Sequence, residues 1–416
     1  MQAHDRLTET LEPAEKAAVF RHAREWFPAL VPAGASDFDD LEFLDRERAR
    51  PWYGRTVDGA RSFSSTGTSG YPKPVSWTPE EDAWYVGEKR ALFAPWLDGY
   101  TRGFISLAVG HNAGLARCLL EDLGLEVHDA GLSPIEDQCA AITASAPEVL
   151  YCSPSILENL IVGLDRSGRR PTSVRRIITN GEVLFPSARA RAGSFFDIGP
   201  ADVMDTYGST EIGTIAHSCG ACGAFHFLNG LYPEPAPAEA AHAEHLLGGG
   251  SDTAVLAVSS VKRTSFPVVR FVTYDVVRGL RRSDCGGAVR FTCDRIVGRC
   301  DDVVNYGELF SCYELGDLIG GHLPAARWFV FNPRNDLTIV VEGVEPPGFR
   351  EALRDRYPLH TRMSDLGLLD PPQIRFVADF DAFLARAGLP TNRRGKAARR
   401  VQTLAPEPAW FEEPIG

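Results

Sequence analysis

Between residues 104 and 181, short apolar runs alternate with helical stretches, and this constrains the fold more than any other feature of the 416-residue chain. FISLAV (104–109), LEVHDAG (125–131), EVLYCS (148–153) and VRRIITNG (174–181) read as strands. LARCLLEDLG (115–124), closed by Gly124, IEDQCAAITAS (135–145) and SILENLIVGL (155–164) read as the helices between them. Strands alternating with helices predict a parallel α/β sheet. Ligands of such sheets sit beyond the carboxyl ends of the strands, so the following loops are where chemistry is expected. Residues 11–30 predict a further helix. The Pro/Ala/Gly-rich stretch 231–252 predicts a surface loop or insertion without chemistry. From about residue 254 the pattern turns strand-rich. After Arg299 a smaller α+β unit is expected, with WFVFN and LTIVVEG as strands and FREALRDRY as a helix. No internal repeat is visible.

Length and charge narrow the function. A chain this long holds a large core and room for two domains. Its net charge of −12 argues against broad binding to nucleic acid or to anionic membranes. No apolar run reaches the length of a membrane span, and the opening MQAHDRLTETLEPAEKAAVF does not read as a signal peptide. Nine cysteines, an odd number, point to a reducing cytoplasm, where clustered cysteines bind metal more often than they pair.

Residues 64–73, SSTGTSGYPK, combine small hydroxyls, two glycines and one lysine. Such a loop turns backbone N–H groups and hydroxyls toward phosphate oxygens. It is not the commoner phosphate loop G-x-x-x-x-G-K-[ST], because Gly70 is followed by Tyr71 and Pro72. Its composition also suits a flexible linker. Lysine is otherwise scarce, with Lys16, Lys73, Lys89, Lys262 and Lys396 making up the full set, so a lysine in a glycine-bearing segment stands out.

Four further segments settle this choice: DTYGSTEIG (205–213), VRFVTYD (269–275), GRCDD (298–302) and PTNRRGKAAR (390–399). With SSTGTSGYPK, and in this order, they resemble the adenylate-forming superfamily of acyl-CoA synthetases, aryl-acid ligases and adenylation domains. Length, the cysteines after TYGSTEIG, and SPSILENLI are most similar to the phenylacetate–CoA ligase branch. The resemblance covers about residues 60–400. It implies a large N-terminal α/β domain with parallel sheets (1–300) and a small, mobile C-terminal α+β domain (301–416). It also implies an AMP-forming reaction, in which a carboxylate attacks the α-phosphate of ATP and an acceptor then displaces AMP. Carried over position by position, Ser65, Thr66, Gly67, Thr68 and Lys73 would cover the β/γ-phosphates. Tyr207 would stack on adenine, Thr210 would touch the α-phosphate and Glu211 would hold Mg²⁺. Gly181 and Glu182 would line the adenine and acyl site, with Asp205 and Gly208 part of the same motifs. Asp275 would accept from the ribose hydroxyls, Arg299 would hold the nucleotide, and Asp301 would be the hinge. Lys396 would enter from the small domain and neutralise charge during adenylation.

The chain departs from this pattern in two places. Cys219-x₂-Cys222-x₃-His226 has the spacing of a structural zinc site. Cys285 is the fourth ligand that the resemblance favours, with Cys293 and His217 as alternatives. After the expected hinge, Gly307 is present, but Ser311 stands where the family often has a proline shaping the thiol tunnel. The acceptor therefore stays open between CoA, the first expectation, a carrier-protein thiol and an amine. His111, in AVGHNAG, is expected beside the acyl pocket as a substrate contact or a core histidine. The acid is an aromatic or other small acid, an inorganic oxyacid such as nitrite included. A homodimer is compatible with all of this. The reading of another class is a zinc-stabilised nucleotide-binding scaffold without turnover. Intact Lys73, Glu211, Asp275 and Lys396 speak against it.

Overall fold

The computed structural model describes residues 11–64, 73–107, 111–131, 133–241, 252–300, 303–306, 309–332, 336–389, 401–402 and 411. Ser65, Thr66, Gly67, Thr68, Asp301 and Lys396 lie outside them, and of His111 only the backbone is described, opening the helix His111–Asp122.

The predicted alternation is present as a parallel sheet. Glu126–Asp129, Arg102–Ser106, Val149–Cys152, Arg176–Asn180 and Val203–Ser209 lie side by side in that order, all parallel. Helices His111–Asp122, Ile135–Ser145, Pro154–Arg166 and Pro186–Phe196 make the crossovers. Strand residues alternate between two buried faces. Ile105, Val149, Tyr151, Ile178 and Met204 pack on one side with Phe93 and Leu119. Phe104, Leu150, Cys152 and Ile177 pack on the other with Ile142 and Leu160. Helices on both faces explain why these strands read as continuous apolar runs. Beyond Val203–Ser209 the sheet continues antiparallel through Gly213–Ser218, Phe225–Phe227, Ala288–Cys293 and Arg281–Cys285, making nine strands.

The segment expected to be a loop from residue 231 is in part a strand. Leu231–Ala236 pairs antiparallel with Thr253–Ser260, and that strand with Phe271–Arg278 and then Arg295–Arg299. Its prolines, Pro233 and Pro235, misdirect a sequence reading. They are tolerated because the strand is at the sheet edge, where a missing N–H breaks no ladder. The first helix is also shorter than expected, Pro13–Trp26, with Pro28 opening a separate turn.

The hairpin Arg61–Ser64/Pro74–Trp77 flanks the phosphate-loop sequence. It leads into the long helix Pro79–Leu97, which starts at a capping box: Thr78 Oγ1 accepts from the Glu81 amide, and Glu81 Oε2 accepts from the Thr78 amide. The C-terminal α+β part has a four-stranded sheet in the order Gln373–Val377, Thr338–Glu342, Trp328–Phe331, Val401–Gln402, around its own core of Trp328, Ile339, Phe349 and Leu353. Among the described residues no helix is long and apolar enough to cross a membrane.

Candidate active site

The turn between Val203–Ser209 and Gly213–Ser218 carries Thr210 and Glu211, and small residues shape it. A Cβ on Gly208 would lie 2.2 Å from the Gly213 carbonyl oxygen, and one on Gly213 would meet Tyr85 at 2.9 Å and Trp77 at 3.0 Å. Gly213 also sits at φ +89°, a region other residues rarely enter. Trp77 and Tyr85 therefore press directly beneath the turn. Trp77 Nε1 donates to the Thr210 carbonyl at 3.0 Å, and Tyr85 Oη pairs with Thr214 Oγ1 at 2.9 Å.

Glu211 is half-buried, and its Oε1 accepts from Tyr53 Oη at 3.0 Å. Lys73 Nζ lies over the Tyr53 ring, 5.3 Å from its centroid. Burial lowers the Lys73 pKa and Glu211 opposes this, while the positive charges of Arg46 and Arg299 add to the lowering. Lys73, Arg46 and Arg299 thus share one neighbourhood with Glu211, a distribution that attracts an anion and can balance a hard cation.

Asp275 stands opposite Arg299 in the strand register, with Arg299 Nε 3.9 Å from Asp275 Oδ1. Tyr207 Oη donates to Asp275 Oδ2 at 2.5 Å. Burial raises the Asp275 pKa, with Arg299 pulling the other way. Tyr274, just before it, holds φ +62°, an outlier for an aromatic residue. The Arg46 guanidinium stacks 3.7 Å from the Tyr274 ring centroid, and the Arg46 amide donates to Tyr274 Oη at 2.9 Å. Such local strain is kept where surrounding contacts over-determine it.

Other predicted residues are engaged within the protein. Asp205 is buried, its carboxylate accepts from Thr179 Oγ1 at 2.7 Å, and burial pushes its pKa up to about 6. Glu182 accepts from the Ser155 amide at 3.2 Å and hydroxyl at 2.9 Å. Gly181, at φ +89°, turns the chain just after the strand Arg176–Asn180. Ser311, in place of the family's proline, caps the helix Cys312–His322 by accepting from the Tyr313 amide at 3.1 Å.

Tyr53, Trp77, Arg46 and Arg263 were missed in the sequence. Arg263 is fully buried and stacks 3.7 Å from the Trp77 ring centroid. It pairs with Glu81 and donates to the carbonyls of Ser76 at 2.9 Å and Glu211 at 3.0 Å. It ties the hairpin Arg61–Ser64/Pro74–Trp77 to the Glu211 turn. It stands beside Lys262 in a segment rich in strand formers, and the sequence alone gives no reason to bury it.

A second cluster stands apart. The donor atoms of Cys219, Cys222, His226 and Cys285 lie within 4.8 Å of one another. Cys219 and Cys285 sulfurs are 3.9 Å apart, and Cys222 Sγ is 3.1 Å from His226 Nε2. A tetrahedron with zinc–sulfur bonds of about 2.3 Å has edges of about 3.8 Å, so the set fits zinc. Burial would raise the Cys219 pKa, but the amides of Cys222 and Ala221 outweigh it and draw the thiol below its ordinary value. Of the sequence alternatives, Cys285 joins the set. Cys293 is buried elsewhere, and His217 Nδ1 faces the Ser218 carbonyl at 3.4 Å.

No protein-family model matches the chain. Among curated proteins it is similar to the fumarate–(S)-2,3-diaminopropanoate ligase of Enterobacter agglomerans, 27% identical over 324 residues, covering 76% of this chain and 80% of that protein. Among solved structures it is similar to a 2-hydroxyisobutyryl-CoA ligase in the postadenylation state with 2-HIB-AMP, at TM-score 0.68, 15% identity, and coverage of 96% of this chain and 91% of that one. The amide bond synthetase McbA of Marinactinospora thermotolerans matches at TM-score 0.52 and 17% identity, over 80% of this chain and 66% of that one. The chain shares the α/β fold of these solved ligases.

Proposed function

We propose that the chain is an ATP-dependent, AMP-forming ligase that adenylates a small carboxylic acid and passes the acyl group to an amine. The observation that supports this reading is the grouping of Lys73, Glu211, Tyr207, Asp275 and Arg299 in one neighbourhood beyond the end of the strand Val203–Ser209. The amine acceptor is supported by the curated relative, whose name joins an acid to a diamino acid. CoA, the acceptor first expected from the sequence, and a carrier thiol become arms of the test.

In this reading one carboxylate oxygen attacks the α-phosphorus and the bond to pyrophosphate breaks. The acceptor nitrogen then attacks the acyl carbon, loses a proton, and AMP leaves. Lys73 and the loop of Ser65, Thr66, Gly67 and Thr68 receive the β/γ-phosphates. Thr210 binds the α-phosphate, and Asp275 takes the ribose hydroxyls once Tyr207 releases it to stack on adenine. Gly181, Glu182, Asp205 and Gly208 shape the walls, and Arg299 holds the nucleotide at the junction. Glu211, already fixed by Tyr53, is the ligand for Mg²⁺, which would supply charge neutralisation at the phosphates. Residues 301–416 form the mobile domain, with Asp301 as hinge and Lys396 delivered from it. Cys219, Cys222, His226 and Cys285 hold one structural zinc.

ATP–pyrophosphate exchange over a panel of acids tests adenylation. Trapping with amines, CoA or nothing then names the acceptor. Exchange without amide formation from any amine, but with thioester from CoA, would overturn the amine assignment. Metal analysis of protein purified without added zinc should give about one equivalent per chain, and far less would sink the zinc site.

A further inference from the structure

Lys89 is a buried cation with no carboxylate partner among the described residues. It lies midway along the helix Pro79–Leu97 and is 1% exposed. Its ammonium donates to Tyr151 Oη at 3.0 Å and stands 5.2, 5.6 and 5.5 Å from the ring centroids of Tyr85, Phe93 and Tyr151. Among the described residues no carboxylate pairs with it, whereas buried Arg263 has Glu81, and Arg270 has Glu234. Removing an ammonium from water without an anion costs several kcal/mol. The phenols of Tyr151 and Tyr85 and the aromatic faces oppose that cost, but they supply no carboxylate.

The position of Lys89 relates it to the reacting centre. Tyr151 stands one residue before the carboxyl end of the strand Val149–Cys152, between Ile105 and Ile178 of its parallel neighbours. Tyr85, one helical turn before Lys89, presses its ring under Gly213 and pairs with Thr214, residues that lie opposite Ser209 and Gly208. Lys89 therefore lies one aromatic layer beneath the turn that carries Thr210 and Glu211.

We propose that Lys89 receives a second carboxylate of the acid substrate, so that the chain activates a short dicarboxylic acid with one carboxylate at Thr210 and Glu211 and the other on Lys89. This rests on the adenylating reading and names its substrate class. The ammonium has three donors, of which Tyr151 and Tyr85 take two, which leaves one for a carboxylate oxygen. Aromatic walls keep water out and strengthen the pair. A monoacid of the same length would leave the ammonium buried and unpaired, the situation in which a site rejects an analogue most strongly.

The test combines exchange with binding. Fumarate and succinate are compared with crotonate and butyrate in ATP–pyrophosphate exchange, for the wild type and Lys89→Met. Binding is read on wild-type protein through ¹⁵N-lysine side-chain signals, of which the chain has only five, with Lys89→Met identifying the signal. The expected result is that dicarboxylates exceed their monoacid partners by about a hundredfold in kcat/KM, that Lys89→Met removes this preference, and that only dicarboxylates move the Lys89 signal. Monoacids that exchange as well as dicarboxylates, with an unmoved Lys89 signal, would overturn the assignment and leave the ligase reading standing. A Lys89 signal that responds to dicarboxylates without exchange would uphold Lys89 and sink the ligase reading. Silence in both assays overturns both. The wild-type titration does not depend on the variant folding.

Discussion

The helix Pro79–Leu97 contributes to two buried charge sites that are built oppositely. Near its start, Glu81 meets Arg263, accepts from the amides of Thr264 and of Ser265, the latter at 2.8 Å, and closes the capping box. Two turns later Lys89 meets phenols and rings. At Glu81 every lone pair has a partner and the network joins four segments. At Lys89 the described residues supply the cation and phenol partners but no carboxylate. A completed pair holds structure, while an incomplete one is a receptor, and the two should respond oppositely to loss of the charge.

The largest effect is expected at the completed pair. Arg263→Met leaves Glu81 buried and charged, and breaking such a pair costs about 3–5 kcal/mol. Urea unfolding would measure it, and a loss under about 1 kcal/mol would break the contrast. The Ser76 and Glu211 carbonyls also lose their donors. Exchange activity should therefore fall even under conditions where the variant is fully folded.

Asp205 is an intermediate case. Its carboxylate accepts from the Thr179 hydroxyl and from the amides of Leu184 and Thr206, and Arg189 adds a favourable charge, yet burial prevails and its pKa rises to about 6. The native state then holds a proton that the unfolded chain has released. Asp205 accordingly contributes stability that is present below about pH 4 and lost as pH rises to about 6, on the order of 2–3 kcal/mol. Asp205→Asn keeps an acceptor for Thr179 and should remove that falling limb. Unfolding midpoints at pH 4.5 and 7.5 for both proteins check it, and an unchanged difference between the two pH values would show that burial is not what governs Asp205.

These contrasts mark what the sequence discloses. The helix IEDQCAAITAS is found where periodicity put it, Ile135–Ser145, and the strands differ by only a residue or two at most ends. Period and composition are local properties and survive reading in one dimension. Lys73, Glu211, Tyr207 and Asp275, which come from three of the five motifs, are neighbours in the structure, and Cys219, Cys222 and His226, spaced as in a zinc site, cluster with Cys285. Leu231–Ala236 misled because its prolines are read without knowing that the strand is an edge. Arg263 and Arg46 were invisible because their partners come from segments far away in sequence. Lys89 left a trace: Tyr85, Lys89 and Phe93 recur every four residues, which puts a rare lysine on the apolar face of its helix.

The smallest effect on stability is expected at Lys89 itself. Met matches the aliphatic length of lysine and suits the ring-lined site, with its sulfur against aromatic edges. The substitution forfeits the hydrogen bonds to Tyr151 and Tyr85, each worth about 1 kcal/mol, and removes an ammonium that had no carboxylate partner among the described residues. The two terms oppose each other, so Lys89→Met should unfold within about 1 kcal/mol of wild type, or later, in urea titrations without ligand. A saturating dicarboxylate should then restore a gap in favour of wild type, because only the wild type gains stability from binding. A loss of several kcal/mol in the ligand-free titration would instead assign Lys89 to the same structural class as Arg263, and the contrast along the helix would disappear.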